Sequence, residues 1–152
     1  MSVRARLEAG PFDPSAELAR LVEAASNDGA VVSFVGLARP QSKDGANVDR
    51  LVLEHHPRLT LKSLEDIAVE AAERFDVSQV RVVHRCGEIG AGEPIVFAAA
   101  ASAHRRAAFE AADYLMDRLK TEAVFWKREE GPAGASWIEP TEADYADRGR
   151  WE

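Results

Sequence analysis

Ser102-Ala103-His104-Arg105-Arg106 places three side chains that can carry positive charge at the point where an apolar run ends and an amphipathic helix begins. A helix N-terminus already bears partial positive charge and unbonded N–H groups, so cations in its first turn are disfavoured unless an anion sits among them. A phosphate or carboxylate resolves that conflict. Letting the three side chains fan into water costs only about a few tenths of a kcal/mol each, so the cluster alone decides nothing. A second basic group, Lys120 with Lys127-Arg128, lies downstream in Leu119-Lys120-Thr121-Glu122-Ala123-Val124-Phe125-Trp126-Lys127-Arg128-Glu129. The two groups flank one helix and the strand after it, and a single pocket is expected to collect them.

Other constellations carry less. Adjacent strand residues point to opposite faces, so His55 and His56 of Glu54-His55-His56 are not expected to share a metal ion. Ser102 and His104 lack a nucleophile elbow and an orienting acid, and Ser102 reads as a helix cap. Gly87, Gly90 and Gly92 match neither a dinucleotide fingerprint nor a Walker loop and read as turn residues. The single Cys86 excludes an intramolecular disulfide and a cysteine-rich zinc site. Its place in the alternating run Val80-Arg81-Val82-Val83-His84-Arg85-Cys86 predicts burial rather than catalysis.

These residues need positioning elements, and the sequence marks most of them. Asp13-Pro14 opens a helix with Leu18, Leu21, Val22 and Ala25 on one face, and Asn27-Asp28-Gly29 stops it. Ala30 to Val35 reads as a buried strand ending at Gly36, and Leu37 to Asn47 as a loop that carries Arg39. Val48 to His56 alternates as a strand. Thr60 is the expected cap of a helix with Leu61, Leu64, Ile67, Ala68, Ala71 and Phe75 inward.

Val77 to Arg85 forms a further strand, and Gly87 to Pro94 a turn-rich link into Ile95 to Ala101. The third helix follows Ser102, with Phe109, Ala112, Leu115, Met116 and Leu119 as its inward stripe. Val124 to Glu129 and Ser136 to Glu139 bracket Glu130-Gly131-Pro132-Ala133-Gly134-Ala135, a closing hairpin with a long loop. From about residue 141 the polar tail is expected to be flexible, ordered only against a partner. Helices interspersed with hairpin-connected strands predict an α+β protein rather than a doubly wound sheet.

Length and composition fit one domain over residues 1–152, with 46% of residues apolar. No apolar stretch reaches the roughly 18 residues of a membrane span, and Met1-Ser2-Val3-Arg4-Ala5-Arg6 lacks a signal-peptide apolar region, so a soluble, cytoplasmic protein is expected. The net charge of −7 argues against general nucleic-acid binding. Basic residues gathered at one place in an acidic chain point to a small anionic ligand.

Taken in order, five segments resemble the catalytic (large) subunit of molybdopterin synthase. They are Gly29 to Gly36, Leu53-Glu54-His55-His56-Pro57, His84-Arg85-Cys86-Gly87-Glu88, Ser102-Ala103-His104-Arg105, and Leu119-Lys120-Thr121 through Phe125-Trp126-Lys127-Arg128-Glu129. The resemblance covers most of the chain with little change of spacing. It implies an α/β hammerhead-type fold with an additional small antiparallel β subdomain. It also implies a homodimer, each subunit binding one small ubiquitin-like sulfur-carrier subunit to make a heterotetramer.

The implied reaction passes two sulfurs from the carrier's C-terminal glycine thiocarboxylates to cyclic pyranopterin monophosphate, forming the molybdopterin dithiolene, with no metal or nucleotide cofactor on this subunit. By motif match, Lys120 and Lys127 resemble the family's active-site lysines. Arg39, His104 and Arg105 resemble its substrate-anion residues, and Arg128 and Glu129 adjoin the second lysine. The His-Arg pair is implied to reach a neighbouring subunit's site. Leu37 and Ala38 complete the substrate-binding set. Leu37 follows Gly36 where family members commonly carry a basic residue, so its expected contact is through the backbone.

Two readings from other classes compete. A non-catalytic anion-binding scaffold would bind a partner without lysine-dependent turnover. A small nucleotide-binding domain is disfavoured by the absent phosphate-loop pattern.

Overall fold

The computed structural model describes residues 1–152 and is α+β, with four helices and two four-stranded sheets. The larger sheet has the order β1-β4-β6-β2, built from Ser2–Glu8, Gln79–Arg85, Pro94–Ser102 and Ala30–Leu37. Only the β1–β4 pair is parallel. Helices α2 (Leu59–Arg74) and α3 (Arg105–Glu122) cover one face, and α1 (Pro14–Ala24) the other.

Alternation along the central strands explains this layering. Val80 and Val82 of β4 and Val96, Ala98 and Ala100 of β6 meet Leu64, Ile67, Ala71, Leu115 and Leu119 of the two helices. Val83, Phe97, Ala99 and Ala101 point the other way, onto Leu21 and Ala25. The alanines of β6 leave room for helices to approach the sheet closely. No helix is long and apolar enough to cross a membrane.

The smaller sheet has the order β5-β3-β7-β8, from Gly87–Gly90, Arg50–His55, Phe125–Gly131 and Gly134–Ile138. Its inner face gathers Leu51, Leu53, Ile89, Phe125 and Ile138 around Ala38. Helix α4 (Glu142–Gly149) ends the chain against α3.

Several expectations are corrected. Residues 2–8 form β1, a strand absent from the expected elements, whose Val3, Ala5 and Leu7 pack on the main core. The glycine-rich link contains β5, pinned by the fully buried Ile89. The closing hairpin is tight rather than long: Gly131 pairs with Gly134, leaving Pro132 and Ala133 to turn, with Gly134 at φ 116°. The tail from 141 is ordered on its own chain, because Thr141 and Asp144 form a reciprocal capping box and Trp151 packs against Phe75 and Tyr114.

Two caps also move. Asp13 caps α1 as expected, its carboxylate accepting from Ser15 N–H at 2.9 Å. Ser102, by contrast, ends β6 and donates its buried hydroxyl to the Asp76 carbonyl at 2.7 Å, which leaves His104 at the N-cap of α3. Thr60 lies inside α2, whose first N–H groups, those of Arg58 and Leu59, are met by His56 Nδ1 at 3.2 and 3.0 Å. Phe109 is 59% exposed, because the buried stripe of α3 runs through Ala108, Ala111, Ala112, Leu115 and Leu119, one residue out of phase with it.

Candidate active site

A cavity of about 510 Å³ opens between the inner face of the smaller sheet, the C-terminal end of α3 and the start of α4. Alternation along β7 turns Phe125, Lys127 and Glu129 into it, while Trp126, Arg128 and Glu130 face outward. Lys120 and Thr121 enter from the last turn of α3, where a cation is favoured by the helix dipole. Leu37 and Arg39 enter from the end of β2 and the loop after it. Leu51, Leu53, Ile95 and Ile138 supply an apolar floor, and Thr141, Asp144 and Tyr145 form the outer wall.

The cavity charges are unequal in setting. Burial lowers the Lys127 pKa to about 8, with Lys120 adding repulsion and Asp144 opposing both. At neutral pH roughly one Lys127 side chain in ten is therefore an uncharged amine, able to accept a proton. Glu129 is buried and holds the Arg39 guanidinium, Nε lying 3.3 Å from Oε2 and Nη2 3.5 Å from Oε1.

Behind Phe125, the His84 ring stacks at a centroid distance of 4.4 Å, and its Nδ1–H donates to the Arg85 carbonyl at 2.9 Å. Cys86 is buried, as its strand position predicts, and burial raises its thiol pKa. No three His, Cys, Asp or Glu side chains converge as a metal site.

The sequence-predicted residues are thus divided. Lys120, Lys127, Arg39, Glu129 and Leu37 share the cavity. Ala38 lies beside it but is 2% exposed, its side chain in the floor's core. Arg128 faces away, bonded to Glu54 at 2.6 Å and Glu130 at 2.8 Å and lying over Trp137, because it alternates with Lys127 on a strand.

His104 and Arg105 stand at the far end of α3, and fifteen residues of helix separate Arg105 from Lys120 by about 22 Å. One pocket therefore does not collect both basic groups within a single chain. Arg105 and Arg106 instead border a separate depression with Phe109. Asp144 and Tyr145 were missed as wall residues, although the Thr141-x-x-Asp144 capping pattern was there to mark the helix that carries them.

Comparison with known proteins gives a consistent picture. The profile of the family described as MoaE protein matches residues 7–122. A molybdopterin synthase catalytic subunit of Caulobacter vibrioides is 48% identical over 142 residues, covering 93% of each chain. One of Pseudomonas aeruginosa is 45% identical over 147 residues, covering 97% of each. The solved structure of a molybdopterin biosynthesis MoaE protein from Burkholderia ambifaria superposes with a TM-score of 0.82 at 38% identity, covering 99% of this chain and 98% of that one.

Proposed function

The chain belongs to the MoaE protein family, and from that premise we propose that it transfers sulfur onto a pterin, with Lys120 and Lys127 as its catalytic pair. Its role is that of a molybdopterin synthase catalytic subunit in molybdenum cofactor biosynthesis. The sulfur donor is the C-terminal thiocarboxylate of a small ubiquitin-like carrier, and the acceptor is cyclic pyranopterin monophosphate. The observation that carries this reading is the convergence of two lysines from different elements in one cavity, one of them largely desolvated with its pKa lowered to about 8.

The chemistry fits those side chains. A thiocarboxylate and a cyclic phosphate both bring negative charge, which Lys120, Arg39 and Lys127 can meet in a partly apolar site. Lys120, at the exposed edge, holds the incoming thiocarboxylate and stabilises charge developing during acyl and sulfur transfer. Lys127, with its lowered pKa, handles proton transfer or the opening of the cyclic phosphate. Arg39 meets the substrate phosphate, and Glu129, paired with it at 3.3 Å, competes for its charge.

His104 and Arg105 are too far along α3 to serve their own chain's cavity, which supports their acting in that of a neighbouring subunit. The working assembly is then a homodimer carrying two carrier subunits, in the cytoplasm. Arg128 contributes by bracing β7 from outside, and Ala38 by its place in the floor. The larger sheet with its helices corresponds to the hammerhead-type part of the fold, and the smaller sheet to the added β subdomain.

The test mixes purified protein with thiocarboxylated carrier and cyclic pyranopterin monophosphate and assays molybdopterin, with Lys120→Ala in parallel. Product from the wild type alone is the expected result. A folded, carrier-binding wild type that makes none, or a Lys120→Ala variant as active as its parent, overturns the assignment.

A further inference from the structure

Val124 lies between the two lysines, and both of its backbone polar groups are taken by helix α2. Its carbonyl accepts from Thr60 Oγ1–H at 2.6 Å, and its N–H donates to Ser63 Oγ at 3.1 Å. Both hydroxyls are themselves held. Thr60 Oγ1 accepts from His56 N–H at 2.8 Å, and Ser63 Oγ–H donates to the Thr60 carbonyl at 2.7 Å. Thr60 is fully buried. Phe125 N–H returns to the Ala123 carbonyl at 3.0 Å, so Val124 is the centre of a three-residue turn that reverses the chain from α3 into β7.

That turn sets the geometry of the cavity. Lys120 leaves α3 four residues before Val124, and Lys127 leaves β7 three residues after it. A helical threonine commonly bonds back to a carbonyl of its own helix. Thr60 instead gives its proton to a segment 64 residues away. Neither Thr60 nor Ser63 lines the cavity, so neither touches a ligand there.

We propose that Thr60, assisted by Ser63, is a positioning residue for the lysine pair: by clasping both polar groups of Val124 it fixes how far apart Lys120 and Lys127 stand. The inference rests on the reading of those lysines as the catalytic pair. The fit of the clasp is tight, since removing the Thr60 hydroxyl leaves the His56 N–H and the Val124 carbonyl without their partner.

Loosening the turn has an electrostatic consequence. The groups facing Lys127 are Lys120 from α3, Glu129 from its own strand with Arg39 beside it, and Glu139, Asp144 and Tyr145 from the outer wall. His84 lies behind Phe125 and is neutral at pH 7, its pKa being about 4. A Lys127 freed to move toward water and away from Lys120 loses both causes of its lowered pKa, so its titration midpoint rises from about 8.

The experiment follows the Lys127 side-chain carbon resonance with pH in the full chain, and turnover in the assembled synthase, for wild type, Thr60→Val and Thr60→Ser. Thr60→Val is expected to raise the midpoint by about half a unit or more and to cut kcat about 10- to 100-fold with KM little changed. Thr60→Ser keeps the hydroxyl and is expected to restore both. A merely structural role lowers Tm without moving the midpoint, and that result overturns the proposal. So does a Thr60→Ser variant as impaired as Thr60→Val.

If Thr60→Val does not fold, Ser63→Ala, which frees only the Val124 N–H, carries the test. A smaller upward shift supports the clasp and an unmoved midpoint sinks it. A shifted midpoint in a protein whose wild type makes no molybdopterin leaves the clasp standing and removes the proposed reaction.

Discussion

His84 lies against Phe125 with ring planes 29° apart, so one wall of the lysine cavity rests on a buried imidazole of the larger sheet. Burial is the main cause of its lowered pKa, the Arg85 carbonyl opposes it, and Lys127 adds to it. Between about pH 4 and 6.5 the unfolded chain binds a proton that the folded state refuses. Stability contributed by the neutral ring is therefore present above pH 6.5 and lost as pH falls toward 4, to a total of about 3 kcal/mol. Urea unfolding at several pH values, wild type against His84→Phe, checks this. The variant keeps an aromatic stack without a titrating group and should lose that part of the acid slope. Identical slopes would contradict the assignment.

Lys120 is a secondary cause of the lowered Lys127 pKa, after burial. Lys120→Ala should therefore raise the Lys127 midpoint above about 8 but leave it short of the ordinary 10.5. The same titration monitored by NMR decides it. A midpoint that stays at 8 would mean that the two ammonium groups do not sense each other. A return to 10.5 would mean that repulsion rather than burial governs the site.

Much of this arrangement is legible in the sequence. Asp13-Pro14 announced α1, alternation announced the strand that carries His84, and the closing hairpin the one that carries Lys127. The errors have two causes: local pattern does not report tertiary partners, and the periods of strand and helix were not applied to every candidate residue. Ser102 and Thr60 are good caps by type, yet each gives its hydroxyl to a distant carbonyl. Arg128 adjoins Lys127 in sequence and is on the other side of the sheet. His104 and Lys120 read as neighbours flanking one helix, but that helix is a rod that holds them apart. The polar tail gave no sign that Trp151 would find Phe75 and Tyr114, because those residues lie far away in sequence and meet only in the fold.

Trp151 anchors the segment that carries the outer wall of the cavity. Its ring meets Phe75 and Tyr114 edge-on at 5.6 and 5.5 Å, and its Nε1–H donates to Asp117 Oδ2 at 2.7 Å. Trp151→Ala removes the aromatic contacts and one charge-assisted bond, and should cost about 2–4 kcal/mol. The loss should concentrate in α4, which buries no residue of its own. Hydrogen exchange is the discriminating measurement: the α4 amides should lose protection while those of β6 keep theirs. Uniform loss across the chain would show that the C-terminal helix does not open as a separate unit.

Arg39 and Glu129 set the balance of charge at the cavity. Arg39, Lys120 and Lys127 are matched there by Glu129, Glu139 and Asp144, so an incoming anion meets no net excess of positive charge in the lining. Glu129 is the carboxylate directly engaged with Arg39, and at 3.3 and 3.5 Å it restrains the guanidinium without the short contacts of a strong bidentate pair. Glu129→Gln removes the competing charge and keeps an amide oxygen for Arg39. Binding of cyclic pyranopterin monophosphate, measured by calorimetry without carrier, should tighten about 3- to 10-fold at low salt, with the gain shrinking as salt screens it. Arg39→Gln should weaken the same binding by a similar factor. The expectation is opposite in sign for the two partners of one ion pair, and a fold defect would weaken binding in both. If a Glu129→Gln variant with the wild-type Tm binds as poorly as Arg39→Gln, the carboxylate contributes by holding Arg39 in place rather than by competing for its charge.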